Sequence, residues 1–186
     1  MKTKIALTTA AALAALLSGC AAQPYNARGA VVRQAMHQPA EASNPYTQTA
    51  WALRQWSDAR SVPRKLPVVK GYSPLITMVF SQGNGRRQIS GVVGCNQYSG
   101  DYTVANGVVI PTTDMASTGQ ACNTRGLARV QAVSLERLEA EFIESMKHIV
   151  DTTLDDYSNP RLMTMRLGNG DRLEFVRQSS DYLPRM

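Results

Sequence analysis

The chain is poor in the residues that carry most enzyme chemistry. It has two histidines, His37 and His148, far apart in the sequence. A Ser-His-Asp triad needs an imidazole beside its nucleophile. His37 lies in a stretch with no helical or strand period, and His148 follows an amphipathic helical pattern. The three cysteines, Cys20, Cys95 and Cys122, form no C-x-x-C pair, so no dithiol redox motif or zinc spacing is written. No P-loop and no dinucleotide fingerprint occurs. Asp151, Asp155 and Asp156 cluster, but without the glycine and closing glutamate of a calcium loop. The expectation is therefore no catalytic residue, no metal and no cofactor. Long apolar runs are also missing. Nothing after residue 20 approaches the ~20 continuous apolar residues of a spanning helix.

Acidic side chains are scarce as well: 14 Asp and Glu against 20 Lys and Arg, a formal charge of +6. Part of the excess sits in residues 1–19, where Lys2 and Lys4 precede a short apolar stretch ending in small residues. That is the pattern of an export signal, to be excluded from fold reasoning. Without Lys2 and Lys4, 18 of the 20 basic side chains remain, for a charge of +4. Nucleic acid is a poor partner for an exported chain. The densest basic stretches run from Arg60 to Lys70 and over Arg86-Arg87. Such a face could rest on anionic headgroups, each cation adding about 1 kcal/mol at low salt. A solvated surface with unequal charge is the plainer reading.

Leu17-Ser18-Gly19-Cys20 resembles the box that closes bacterial lipoprotein signal peptides. The resemblance implies cleavage before Cys20 and acylation of its sulfur and new amine. With Ala21 next, it also implies sorting to the outer membrane, facing the periplasm. The alternative is an ordinary cleaved signal with a chance cysteine. Multiple acyl chains anchor stably where one does not. Residues 20–47, with Pro24, Pro39 and Pro45 among scattered Ala, Gln and Asn, read as a tether. As a flexible coil it would span about 30 Å. In an oxidising compartment the remaining even pair, Cys95 and Cys122, reads as a disulfide.

The body is expected over residues 48–178, with a tail at 179–186. Trp51, Leu53 and Trp56 mark a first strand. Residues 58–73, with Pro63, Pro67 and Gly71, read as loop. Three hairpins follow from turn signals: Leu75–Phe80 with Gln88–Val93 across Gln82-Gly83-Asn84-Gly85, Gly100–Val104 with Val108–Ile110 across Asn106-Gly107, and Leu162–Leu167 with Arg172–Val176 across Gly168–Gly170. Leu135, Leu138, Phe142, Met146 and Ile149 recur at helical spacing, with Ser134 as the expected cap. The fold class is α+β: a small curved antiparallel sheet, barrel-like, with one amphipathic helix packed on it.

Gly91-Val92-Val93-Gly94-Cys95-Asn96-Gln97-Tyr98-Ser99-Gly100-Asp101-Tyr102 resembles the first signature of META domains, the group that includes HslJ. Met115-Ala116-Ser117-Thr118, followed by Ala121-Cys122, is similar to the second. The match covers about residues 49–177. Asn123–Val133 is longer than expected between the second cysteine and the helix. The resemblance implies a small barrel-like sheet with one helix and no established enzymatic activity. Members are linked to heat response, novobiocin resistance and envelope roles. The fold is similar to lipoprotein pilots that hold acyl chains.

The motif residues have architectural readings. Gly91, Gly94 and Gly100 would permit bends or close backbone approach. Asn96 could bond its own turn, and Ser117 and Thr118 could tie down backbone near Cys122. The disulfide would pin the segment before the helix to the second strand.

Three functions compete. One is a non-catalytic envelope lipoprotein, binding a protein or envelope component through a sheet edge or barrel mouth. Another is a carrier of lipid or an apolar segment in a cavity between sheet and helix. The weakest is a hydrolase using Ser117, Ser99 or the acidic cluster, which would need a base beside the serine.

Overall fold

The computed structural model describes residues 44–122, 127–179 and 181. The signal segment, Cys20, most of the expected tether and all but residues 179 and 181 of the tail lie outside them. No described helix is long and apolar enough to cross a membrane.

Among the described residues, nine strands and one helix follow in chain order: β1 Thr49–Ser57, β2 Thr77–Gly83, β3 Arg86–Val93, β4 Asn96–Ala105, β5 Val108–Pro111, β6 Ala116–Ser117, α1 Arg129–Met146, β7 Ile149–Leu154, β8 Leu162–Leu167 and β9 Arg172–Arg177. They form one sheet in the order β5-β4-β3-β2-β1-β9-β8-β7, with β6 on β4. Every pairing is antiparallel. The Val109 amide on β5 donates to Thr152 Oγ1 on β7 at 3.2 Å, which brings the two ends together and nearly closes a barrel. Closure shields edges that would otherwise offer unpaired backbone.

The expected hairpins form. Asn84 and Asn106 adopt φ of 51° and 53°, and each is followed by glycine with positive φ, as two-residue hairpin turns demand. In β1 the register shifts between Leu53 and Gln55. This bulge explains why Trp51 and Trp56, an odd number of residues apart, both enter the core. Their indole N–H groups are satisfied, Trp51 by Thr49 Oγ1 at 2.7 Å and Trp56 by Asp171 Oδ2 at 2.9 Å.

Helix α1 buries Ala132, Leu135, Leu138, Phe142, Ser145 and Met146. Leu138, Phe142 and Met146 join Phe80, Met163 and Phe175 in one core, so side chains occupy the space between helix and sheet. The Phe142 ring meets Tyr98 edge-on at 5.3 Å. Phe142→Ala would leave a cavity costing about 3–5 kcal/mol.

At four places the fold departs from the sequence pattern. The helix begins at Arg129 behind Ala128, which makes no side-chain cap. Ser134 lies inside it and donates back to the Val130 carbonyl at 2.8 Å. The long stretch before the helix is thus partly helix, although residues 123–126 are outside the described set. Ile149, three residues after Met146, fits the helical stripe in sequence but starts β7. Ile149, Val150, Thr152 and Thr153 are β-branched and prefer a pleated surface once Lys147 has ended the helix. Finally, the body starts before residue 48. Tyr46 is fully buried and donates to the Gly107 carbonyl at 2.9 Å, in a turn begun by Asn44.

Candidate functional site

The two sequence signatures meet in one corner, where the β3–β4 turn faces the segment leading to α1. Cys95 and Cys122 are joined in a disulfide, their Cα atoms 5.7 Å apart. Both are buried, among Val69, Ala132 and Leu135. Cys95 lies in the turn rather than in a strand, so the bond fastens that turn to the chain just ahead of the helix.

The signature glycines are explained by close approach. A Cβ on Gly91 would lie 2.0 Å from the Thr77 carbonyl oxygen, and one on Gly100 would lie 2.6 Å from Met115 Sδ. Gly94 takes a left-handed φ of 58° against Leu135. Tyr98 and Tyr102 turn inward. Tyr98 donates its hydroxyl to the Thr77 carbonyl at 2.8 Å, and burial pushes its pKa well above the ordinary phenol value. Met115 is also buried, while Ala116 and Ser117 form the short β6 beside Tyr98 and Ser99.

Asn96 is the hub of the corner and is almost wholly buried. Its Oδ1 accepts from Thr118 Oγ1 at 2.7 Å and from the Gln120 amide at 2.9 Å. Its Nδ2 donates to the Gln120 carbonyl at 3.0 Å and to Glu139 Oε2. It bonds the second signature and the helix, not its own turn. Glu139 also accepts from the Ser117 hydroxyl. One helix turn earlier, Glu136 Oε1 accepts from the Cys122 amide at 3.0 Å. Thr118 Oγ1 accepts from the Gln97 amide at 3.3 Å, and Ser117 Oγ from the Gly119 amide at 3.3 Å. The serine and threonine thus hold backbone, as their residue types suggest. Glu136 and Glu139 escape a motif-based reading. Their signal is two acidic residues a turn apart on a helix that must pass the motif's donors.

Among the described residues no imidazole faces Ser117. His148 sits beyond the helix end, with Nε2 3.3 Å from Glu144 Oε1, and His37 lies outside the described residues. The acidic cluster is turn structure. The Leu162 and Arg161 amides hold the Asp155 carboxylate below the usual range, and the Ser158 hydroxyl and amide do the same for Asp156. Among the described residues no group of His, Cys, Asp and Glu is arranged to hold a metal.

The META domain profile matches residues 44–180. The chain belongs to the META domain family. Among solved structures, it is similar to a protein from Burkholderia xenovorans determined by NMR, at 28% identity and a TM-score of 0.58, over 72% of this chain and 84% of that one. A DUF4847 family protein from Bacteroides vulgatus overlaps at 10% identity and a TM-score of 0.43, over 72% of this chain and 96% of that one, too loosely to carry an argument. No curated protein matches. The META corner of this chain is therefore a stapled hydrogen-bond junction between β3–β4, β6 and α1.

Proposed function

We propose that this META domain protein is a non-catalytic envelope lipoprotein, held at the periplasmic face of the outer membrane by acyl chains on Cys20 and acting by binding. One observation carries the non-catalytic half. The signature's polar groups are bonded to one another and to backbone, and Ser117 meets a carboxylate and, among the described residues, no imidazole. A nucleophile needs an activating base and an oriented approach. The corner supplies joints instead. The anchor rests on Leu17-Ser18-Gly19-Cys20 and the basic, apolar start before it. A carrier role is not favoured, since Leu138, Phe142 and Met146 fill the space between helix and sheet.

Metabolic palmitate labelling in cells, with wild type beside Cys20→Ala, tests the anchor. Label on the wild type and its recovery with outer membranes are expected, and a soluble, unlabelled variant. Wild type that is unlabelled and released by osmotic shock would end the lipoprotein reading. Ser117→Ala should leave any phenotype of the gene complemented; loss of complementation by a stably folded variant would count against the non-catalytic reading.

A further inference from the structure

A groove of about 830 Å³ runs between the connection after β1 and helix α1. Trp56 and Leu138 line it from the core, Leu66 and Pro67 from the connection, and Val130 and Val133 from the helix. Four cations share it: Arg64, Lys65, Arg129 and Arg137. Arg64 is committed within the protein. It lies 3.5 Å from Glu141 and 3.6 Å from Asp171, with its guanidinium 4.7 Å over the Trp56 ring. Lys65, Arg129 and Arg137 are exposed and have no acidic partner among the described residues. Glu141, the one carboxylate lining the groove, is the group paired with Arg64.

Apolar side chains stand in water at the same place. Val130 is 78% exposed and Val133 46%, and Val68, directly after Pro67, is 94% exposed. Valine is an indifferent helix former, so propensity does not account for two of them on an exposed helical face. Exposed aliphatic groups ringed by unpaired cations suit the boundary between headgroups and acyl chains.

We propose that this groove and its rim dock on an anionic phospholipid bilayer. Val130, Val133 and Val68 enter the headgroup–acyl boundary, and Lys65, Arg129 and Arg137 meet the lipid phosphates. This deepens the envelope-lipoprotein reading and takes from it the presence of a bilayer, but the contact itself uses no acyl chain. A body already tethered beside the surface needs only weak intrinsic affinity, because the tether raises its local concentration.

The test uses the chain from residue 20 onward carrying Cys20→Ser, so that no lipid anchor contributes. Co-sedimentation is measured with phosphatidylglycerol-rich vesicles and with pure phosphatidylcholine vesicles at low salt. Binding to the first only is expected, fading as salt is raised. Neutralising Lys65, Arg129 and Arg137 to Gln should weaken binding by about fivefold each, on the order of 100-fold together. Arg161→Gln with Arg166→Gln, on the β7–β8 hairpin, should weaken it by less than about twofold. Val130→Trp should bind more tightly and show a blue-shifted emission component on the vesicles, a readout independent of charge. No binding to phosphatidylglycerol vesicles would overturn the proposal and point to an acidic protein partner. Equal losses in the two charge variants would overturn it in favour of a general charge effect. Either failure leaves the Cys20 labelling result untouched, so the two readings fall separately.

Discussion

Helix α1 touches two polar regions that are opposites. In the signature corner, Asn96, Ser117, Thr118, Glu136 and Glu139 find partners within the fold, behind a buried disulfide. In the groove, Lys65, Arg129 and Arg137 stand in water with no acidic partner described. Asn96 is buried and must be paired or it destabilises the fold, while Ser117, Thr118 and Glu136 are exposed and are tied down by their bonds to it, to backbone and to one another. An exposed cation carries no such obligation and is free to meet something else. The family signature therefore marks how the protein is held together, and the less conspicuous basic stretch is where we propose that it meets a bilayer.

The largest expected effect tests the corner. Replacing Cys95 and Cys122 together by Ala opens a link spanning 27 residues in sequence. The chain-entropy model puts the loss at about 3.5 kcal/mol, a large share of the usual stability of a domain. Urea titration of the double variant, and of the wild type under reducing conditions, should show the same drop in midpoint. A drop under about 1 kcal/mol would mean that the polar joints hold the corner without the staple.

Asn96→Ala comes next, at about 2 kcal/mol, because four partly buried hydrogen bonds of one side chain are lost together. Asn96→Asp separates bonding from packing. It keeps the shape but turns an acceptor toward the Glu139 carboxylate, and should destabilise at least as much as alanine. If aspartate were tolerated, the contact with Glu139 would have no structural weight.

How far the sequence discloses this division depends on the range of the signal. The hairpins at Asn84-Gly85 and Asn106-Gly107 are local chemistry, since two residues dictate the turn, and they are readable directly. The disulfide is readable from the even pair that remains once Cys20 is set aside, on the expectation of an oxidising compartment. β7 is not, because Ile149 continues a helical spacing while belonging to a strand, and tertiary pairing with β8 decides the matter. The helix start is hidden for a similar reason: Ala128 is no capping residue, and Ser134, a good one, is used inside the helix. Asn96 is conspicuous in its motif, yet its partner Glu139 lies 43 residues away and only the fold joins them. The groove is partly visible as Arg60–Lys70. Its other half, Arg129 and Arg137, comes from a helix whose facing direction the sequence does not state.

Alkali sharpens the contrast between the regions. Burial raises the Tyr98 phenol, and Tyr46 likewise, above the ordinary phenol value. A group whose folded pKa is raised stabilises fully below the unfolded pKa, about 10, and loses that contribution as pH climbs beyond it. Stability should therefore hold to about pH 10 and then fall. Tyr98→Phe should cost about 1 kcal/mol at neutral pH through the lost bond to the Thr77 carbonyl. It should also flatten the alkaline decline. Urea midpoints at pH 8 and above pH 10 check both halves, and a decline of unchanged slope in the variant would assign the alkaline loss to other groups.

The smallest effect on stability belongs to the groove, and its smallness is informative. Arg129→Gln and Arg137→Gln each remove an exposed cation without a described acidic partner, so each should change stability by less than about 0.5 kcal/mol. Any change should be a slight gain at low salt, since neighbouring like charges repel, and should vanish as salt screens them. A loss of more than about 1 kcal/mol would show that these arginines hold the fold together and would erase the distinction between the two regions. A neutral result leaves them as side chains the fold does not need, concentrated beside valines that the core does not bury. Persistent exposed apolar and basic groups with no internal use are the signature of an external contact.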